Sequence, residues 1–368
     1  MNRQQHQGGE QQDAGDHAAL PRNTILVGDV RERLRELPGS SVDCIITSPP
    51  YYATRNYDHE QQIGTEPDVN GWVAELRAIC QELARALRPT GSLWLNLGDG
   101  YSRRPAEGAT RKSLLLGPSR VALALIADGW ILRNQVVWAK SNPMPSSVAD
   151  RLSTTHEVIY FFTLSRSYFF DLDAIRQPLV TTRRQYTSDP KRIYPPVGSG
   201  APNRQAWAYN DNQGLSRLKA SGLAGHPLGK NPGDVWTLPT AGYRGAHFAA
   251  FPLKLVERPL LASCPERVCT RCGRAWQRGL KRHGERILAV GELQPQCQCG
   301  AESRPGVVLD PFMGTGTTAL AAEKHDRDWV GIELNTRYVA MAEERLAAAR
   351  AKPTPSATVV EPIAAYIN

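Results

Sequence analysis

Apolar residues recur along the chain in two alternating rhythms. Short apolar runs at residues 24–28, 42–47 (VDCIIT), 92–97, 131–138 and 157–164 predict strands. Between them, residues 70–88 place Trp72, Leu76, Ile79, Leu83 and Leu87 at helical spacing and stop at Pro89-Thr90-Gly91, which predicts a helix with a sharp end. Residues 119–128 predict a second helix, and 251–262 a third. The rhythm is cleanest near the end, with strand 306–310, helix 317–325, strand 329–334 and helix 337–351. Strands alternating with helices imply an α/β fold, an open and mostly parallel sheet covered on both faces.

Two stretches break the rhythm. From about residue 176 the chain becomes rich in Pro, Gly, Asn and Arg, with Tyr186, Tyr194, Trp207 and Tyr209 interleaved. Such a length without periodicity is either functional or partly disordered. The overall formal charge is +8, and ten Lys or Arg against three Asp fall within residues 176–246. A solvated surface accounts for such a run as well as a polyanionic partner does, unless other features decide. The second break holds five of the seven cysteines, between residues 264 and 299. Cys269-x-x-Cys272 and Cys297-x-Cys299, 24 residues apart, are each followed by glycine. Two thiolate pairs on two turns suit a structural tetrahedral Zn²⁺, whereas an odd cysteine total with no secretion signal argues against disulfides. No apolar run is long enough to span a bilayer, and the Gln-rich start has no apolar core, so a cytoplasmic location without membrane contact is expected.

The last βαβ unit carries a nucleotide-like loop. Asp310-Pro311-Phe312 is followed by Gly314-x-Gly316-x-x-Ala319, with Thr315 and Thr317 in the same turn, after a strand and opening a helix. Glycine is needed there for a tight turn and a close approach of ligand to backbone. Glu333, 23 residues past Asp310, ends the next strand, where a carboxylate accepts ribose hydroxyls. A nicotinamide cofactor fits the glycines too, but a carboxylate at Asp310 would face its pyrophosphate. The same carboxylate suits the ammonium of a methionine moiety, which favours S-adenosylmethionine.

The other notable turn is Thr47-Ser48-Pro49-Pro50-Tyr51, directly after the strand 42–47. In an open α/β sheet, ligands sit beyond the carboxyl ends of strands. Ser48 offers a hydroxyl acceptor, the prolines leave carbonyls free, and Tyr51 offers a flat face for a base. With these residues the chain resembles the DNA amino-methyltransferases, which methylate adenine N6 or cytosine N4. In that family Ser48, Pro49, Pro50 and Tyr51 match the tetrapeptide that grips the flipped base. Phe312, Gly314 and Gly316 match the cofactor loop. Asp29, in Val27-Gly28-Asp29, matches an aspartate near the cofactor's adenine, and Phe251 matches a cofactor-pocket segment around His247-Phe248. Trp138-x-Lys140 and His156-Glu157 resemble a segment on the target-base side.

The order of these motifs, catalytic turn first and cofactor loop last, resembles the family's β group. It implies a Rossmann-like methyltransferase fold with circularly permuted motifs, carrying a small zinc-ribbon insert. The expected partition is a disordered tail (1–21), a catalytic half (22–175), a basic target-recognition segment (176–246), a cofactor-pocket helix (247–263), the zinc insert (264–303), the S-adenosylmethionine half (304–350) and a loose tail (351–368). The implied partner is double-stranded DNA, with a cognate restriction endonuclease as a further partner. Thr-Ser-Pro-Pro-Tyr resembles the cytosine-N4 members, so that target is expected ahead of adenine N6. An RNA amino-methyltransferase and a non-catalytic zinc-ribbon DNA-binding protein are the more distant alternatives.

Overall fold

The computed structural model describes residues 19–55, 59–178, 228–240, 251–283 and 286–351. The chain enters through β1 (Thr24–Val27), turns at Asp29 into α1 (Val30–Glu36), and continues through β2 (Val42–Thr47), α2 (Val69–Ala86), β3 (Leu87–Leu97), α3 (Gly117–Ala127), β4 (Ile131–Lys140) and β5 (His156–Thr163). After residues 171–233 come β6 (Val235–Leu238) and α4 (Leu253–Ser263). The cysteine-rich insert contributes β7 (Val268–Cys269), β8 (Gln277–His283), β9 (Arg286–Gln294) and β10 (Ser303–Arg304). The chain closes with β11 (Val307–Asp310), α5 (Thr317–Lys324), β12 (Asp328–Glu333) and α6 (Thr336–Arg350).

Eight strands form one sheet in the order β1-β12-β11-β2-β3-β5-β4-β6. Within it β5 alone runs against its neighbours, so the mostly parallel sheet expected from the strand–helix alternation is present. β2 is buried along its whole length because both its faces are covered. Ile45 joins Leu34, Trp72, Leu76, Ile79 and Leu83 on one side, while Cys44 and Ile46 join Trp94, Phe161, Leu255, Leu260 and Ala342 on the other. Trp94 stacks on Phe161 with ring centroids 4.2 Å apart. Each such buried side chain stabilises the fold by about 1.5–3 kcal/mol.

Several elements escaped the sequence pattern. α1 is only seven residues long and buries just Val30 and Leu34, too few for a period to show. β6 lies inside the stretch expected as the basic segment, 176–246: Val235–Leu238 pairs with β4 as part of the sheet. β8 and β9 form an antiparallel hairpin rich in basic residues, with no apolar alternation to announce it. Residues 171–233 cluster as a separate unit. At its base Arg176 pairs with Asp173 at 2.6 Å and Gln177 bridges Lys230. The rest of the proposed recognition segment, most of both tails, and His247 and Phe248 lie outside the described residues. Among the described residues no helix is long and apolar enough to cross a membrane.

The insert is rooted at the amino edge of the sheet. Asp43, 4% exposed at the start of β2, accepts from Val307 N at 2.9 Å and pairs with Arg304 at 3.3 Å and Arg88 at 3.1 Å. Burial pushes its carboxyl up, against the pull of the two guanidinium groups. Gly273 closes over Arg88: a Cβ there would lie 1.9 Å from the Arg88 guanidinium, and its φ of +68° is one that favours glycine. Replacing Asp43 leaves two cations beside a buried amide without their acceptor. Asp43→Ala is therefore expected to cost about 3–5 kcal/mol, read as a lower urea midpoint. A loss below about 1 kcal/mol would mean the two arginines find solvent instead.

Candidate active site

β2 and β11 lie side by side, with Val308 opposite Cys44 and Leu309 opposite Ile45. From this pair the chain builds outward in opposite directions, towards β3 on one side and β12 on the other. Such a reversal leaves a crevice at the carboxyl ends of the strands. A cavity of about 410 Å³ occupies it, within the usual range for small-molecule sites.

One wall is the glycine loop. Gly314 and Gly316 have φ of 51° and 77°, left-handed values that explain why glycine stands at both. Phe312, Gly314, Thr315, Thr317 and Glu333 all line the cavity, as do Asp29 and Phe251. Glu333 holds the loop: its two oxygens accept from Gly314 N at 2.8 Å and Asn335 N at 2.9 Å, and burial raises its carboxyl. Thr315 is pinned from behind by Arg345, which donates to its hydroxyl at 2.6 Å and also to its carbonyl. Asp29 caps α1 through Arg31 N at 2.8 Å and is gripped by the Arg31 guanidinium at 2.7 and 2.9 Å, which lowers its carboxyl.

Two residues expected on this wall do not line the cavity. Asp310, expected to meet the ammonium of a methionine moiety, lies beneath it. It is 1% exposed, and its oxygens accept from Thr47 Oγ1 at 2.8 Å, Thr318 Oγ1 at 2.6 Å and Phe312 N at 3.1 Å. Its work is to join β11 to β2 and start the loop. Gly316 also stands off the cavity, where a Cβ would come within 3.1 Å of Ala342 in α6, so it serves loop packing.

The opposite wall is the turn after β2. Ser48, Pro49, Pro50 and Tyr51 all line the cavity. The Pro50 carbonyl accepts from Trp72 Nε1 at 2.9 Å, which anchors the turn to α2. The Tyr51 ring lies against Gly98, where a Cβ would be 2.6 Å from the ring. Its hydroxyl lies 3.1 Å from Ser48 Oγ and donates to Glu157 Oε2 at 2.7 Å. Asn96 Nδ2 reaches the Tyr51 hydroxyl at 2.8 Å, Glu157 Oε2 at 2.9 Å and Ser48 Oγ at 3.2 Å. Lys140 closes the cluster with a 2.6 Å ion pair to Glu157 Oε1.

Sequence reasoning missed Asn96, whose one signal is a lone amide in the apolar strand SLWLNL. Lys140 and Glu157 were placed on the target-base side, but their contact depends on register. Trp138 faces Glu157 across the β4–β5 pair, which makes Lys140, two residues on, its diagonal neighbour.

Away from the cavity, Cys269, Cys272, Cys297 and Cys299 bring their sulfurs within 4.8 Å of one another. Tetrahedral zinc with bonds of about 2.3 Å needs sulfurs roughly 3.8 Å apart, so the four-thiol set fits that ion. Cys44, Cys80 and Cys264 are buried elsewhere. Burial pushes the Cys44 thiol up, in keeping with a core residue and not a nucleophile.

The family of N6/N4 methyltransferases, described as DNA methylase, matches residues 42–344. The Type II methyltransferase M.SmaI of Serratia marcescens is 32% identical over 344 residues, covering 88% of this chain and 90% of that one. M.XycI of Xanthomonas campestris pv. cyanopsidis, also a Type II methyltransferase, is 33% identical over 346 residues, covering 88% and 87%. Among solved structures, the cytosine-N4-specific PvuII DNA methyltransferase is similar in fold, with a TM-score of 0.53 at 17% identity over 90% of this chain and 92% of that one.

Burial pushes the Asp310 carboxyl up to about 6, although two hydroxyls and an amide donate to it. A carboxyl raised in the folded state contributes stability that is full below its unfolded value and is lost as pH rises through the folded one. Between pH 5 and 7 the native protein should therefore lose about 1 kcal/mol relative to Asp310→Asn, which cannot titrate. Urea midpoints at the two pH values measure this, and equal slopes for both proteins would count against the raised carboxyl.

Proposed function

The chain belongs to the N6/N4 DNA methylase family, and on that premise we propose that its cavity methylates the exocyclic amino nitrogen of a flipped DNA base, cytosine N4, with S-adenosylmethionine as methyl donor. The observation that carries this reading is that Ser48–Tyr51 and the glycine loop, more than 250 residues apart in sequence, open into one cavity. When bound, S-adenosylmethionine supplies a methyl carbon made electrophilic by its sulfonium.

The residues around the loop fit such a cofactor. Gly314 has no side chain to obstruct an approach to the backbone, and Phe251 and Phe312 give an aromatic setting for an adenine. Each Glu333 oxygen accepts one backbone N–H and keeps a lone pair for a ribose hydroxyl.

On the other wall the target base enters by rotation out of the duplex, since a stacked amino group cannot be reached. Ser48 Oγ and a proline carbonyl accept its two amino hydrogens. Because Trp72 occupies the Pro50 carbonyl, the proline acceptor is assigned to Pro49. These two contacts orient the nitrogen lone pair towards the methyl carbon. With the donor bound, these contacts would hold the nitrogen in line with the donor's methyl group, and the proton released on transfer would pass to solvent. The chain contributes by positioning and forms no covalent intermediate.

Cytosine is favoured over adenine because the acceptor at position 48 is a neutral hydroxyl and Thr-Ser-Pro-Pro-Tyr resembles the cytosine-N4 enzymes. The basic residues of 176–246 are assigned to the duplex backbone and its recognition, and a cognate restriction endonuclease is expected beside a chain whose relatives are Type II methyltransferases. Sequencing that detects modified bases, on DNA from cells expressing the protein, should give the recognition site. Nucleoside mass spectrometry of that DNA should find N4-methylcytosine. N6-methyladenine alone would move the target to adenine, and neither base would reject the reading.

The four-thiol cluster is assigned to one structural zinc ion, with all four positions filled by protein. Metal analysis should find about one zinc per chain. Cys269→Ser with Cys272→Ser should abolish it and expose residues 264–303 to protease while the sheet persists, since such sites contribute folding energy directly. Protein that is metal-free and equally protease-resistant would refute the assignment.

A further inference from the structure

A serine hydroxyl has one hydrogen and two lone pairs, so Ser48 alone could present a base with either a donor or an acceptor. Its surroundings remove that freedom. A carboxylate only accepts, and Glu157 sits at the end of the cluster with Lys140 on Oε1 at 2.6 Å. The single Tyr51 hydrogen is therefore directed at Glu157 Oε2, 2.7 Å away. The same carboxylate fixes Asn96, whose amide nitrogen and not its oxygen must face Oε2 at 2.9 Å. The Tyr51 oxygen then has only lone pairs left, one of which Asn96 Nδ2 fills at 2.8 Å. In the 3.1 Å contact between Ser48 Oγ and the Tyr51 hydroxyl, Ser48 must be the donor. The two Asn96 amide hydrogens are taken by Glu157 Oε2 and the Tyr51 oxygen, the two shorter of its three contacts, so with its own hydrogen turned towards Tyr51 the Ser48 hydroxyl presents only lone pairs to the cavity.

We propose that Glu157, acting through Tyr51, is a specificity-determining positioning residue that fixes Ser48 as a hydrogen-bond acceptor, so that the site takes bases with an amino group and rejects those with a keto oxygen in its place. The inference rests on the reading that Ser48 meets the amino group of a flipped base. Cytosine and adenine present a hydrogen to such a lone pair. Uracil, thymine and hypoxanthine present an oxygen, which sets two acceptors against each other unless Ser48 breaks its bond to Tyr51. Sites built to hydrogen-bond a group discriminate strongly against analogues that leave the pairing unmade. Lys140 belongs to the same device, because without it the Glu157 charge would lack its partner at Oε1.

The test uses the full-length protein and a duplex bearing the sequence that methylation sequencing identifies. At the target position the duplex carries cytosine or uracil, or adenine or hypoxanthine if adenine is the methylated base. The ratio of binding affinities for the amino and keto duplexes is measured with S-adenosylhomocysteine bound. In Tyr51→Phe, which keeps the ring, and in Glu157→Gln, whose amide can donate to Tyr51, that ratio should fall about tenfold. Affinity for S-adenosylhomocysteine by calorimetry should stay within about twofold, which verifies the fold. A ratio unchanged in both variants would overturn the proposal even if methylation slowed, since it would leave the cluster a packing role alone. A native protein that methylates no DNA would instead reject the underlying function, before any variant is compared.

Discussion

The pairing of β2 with β11 is the junction on which the rest of the molecule depends. The two strands come from opposite ends of the chain and share only a short register, yet the base-side turn leaves one of them and the glycine loop leaves the other. An aspartate pins the pair at each end. Asp43 ties the amino end through Val307 N, and Asp310 ties the carboxyl end through Thr47. Both carboxyls are buried and pushed up for that reason. Burying a carboxylate is costly unless donors surround it, and here they do. The return for that cost is alignment, because a slip between these strands would move the base-side turn relative to the glycine loop.

This junction also explains why the permuted order of motifs is harmless. The sheet, and not the chain, sets which residues are neighbours, so Ser48 and Gly314 share a cavity wherever the termini fall. The cysteine insert enters before β11 and roots on Asp43 and Arg88, at the sheet edge opposite the cavity. It can therefore brace the junction from below without touching the site. No cavity residue is drawn from its hairpin.

Periodicity made most of the sheet legible, because β2, β3, β5, β11 and β12 are buried on both faces and read as apolar runs. The motif turns were legible too, since double proline and paired glycine are rare combinations with few physical uses. What stayed hidden depends on pairing across the sheet. Asn96 looks like an isolated amide until β5 brings Glu157 beside it. β6 is four residues long in a stretch of Pro, Gly and Arg, and it is a strand only because β4 offers an edge. The insert's hairpin is similarly defined by its own ladder of paired strands.

Asp29, Asp310 and Glu333 differ in how much of each carboxylate the fold already uses. All three lie at or just past strand ends at the carboxyl edge, and sequence treats them alike. Geometry separates them by the number of donors each already serves. Asp29 gives both oxygens to Arg31, and Asp310 gives its own to two threonines and an amide beneath the cavity. Glu333 accepts one backbone N–H on each oxygen and stands on the cavity wall. A carboxylate oxygen has room for about two hydrogens, so both Glu333 oxygens keep capacity at the cavity wall, as does Asp29 Oδ2, which accepts a single guanidinium N–H, whereas Asp310 lies beneath the cavity. One of the Glu333 backbone contacts, to Gly314 N, runs to the glycine loop, and the other, to Asn335 N, runs to the start of α6, so Glu333 ties the loop to the helix that packs behind it.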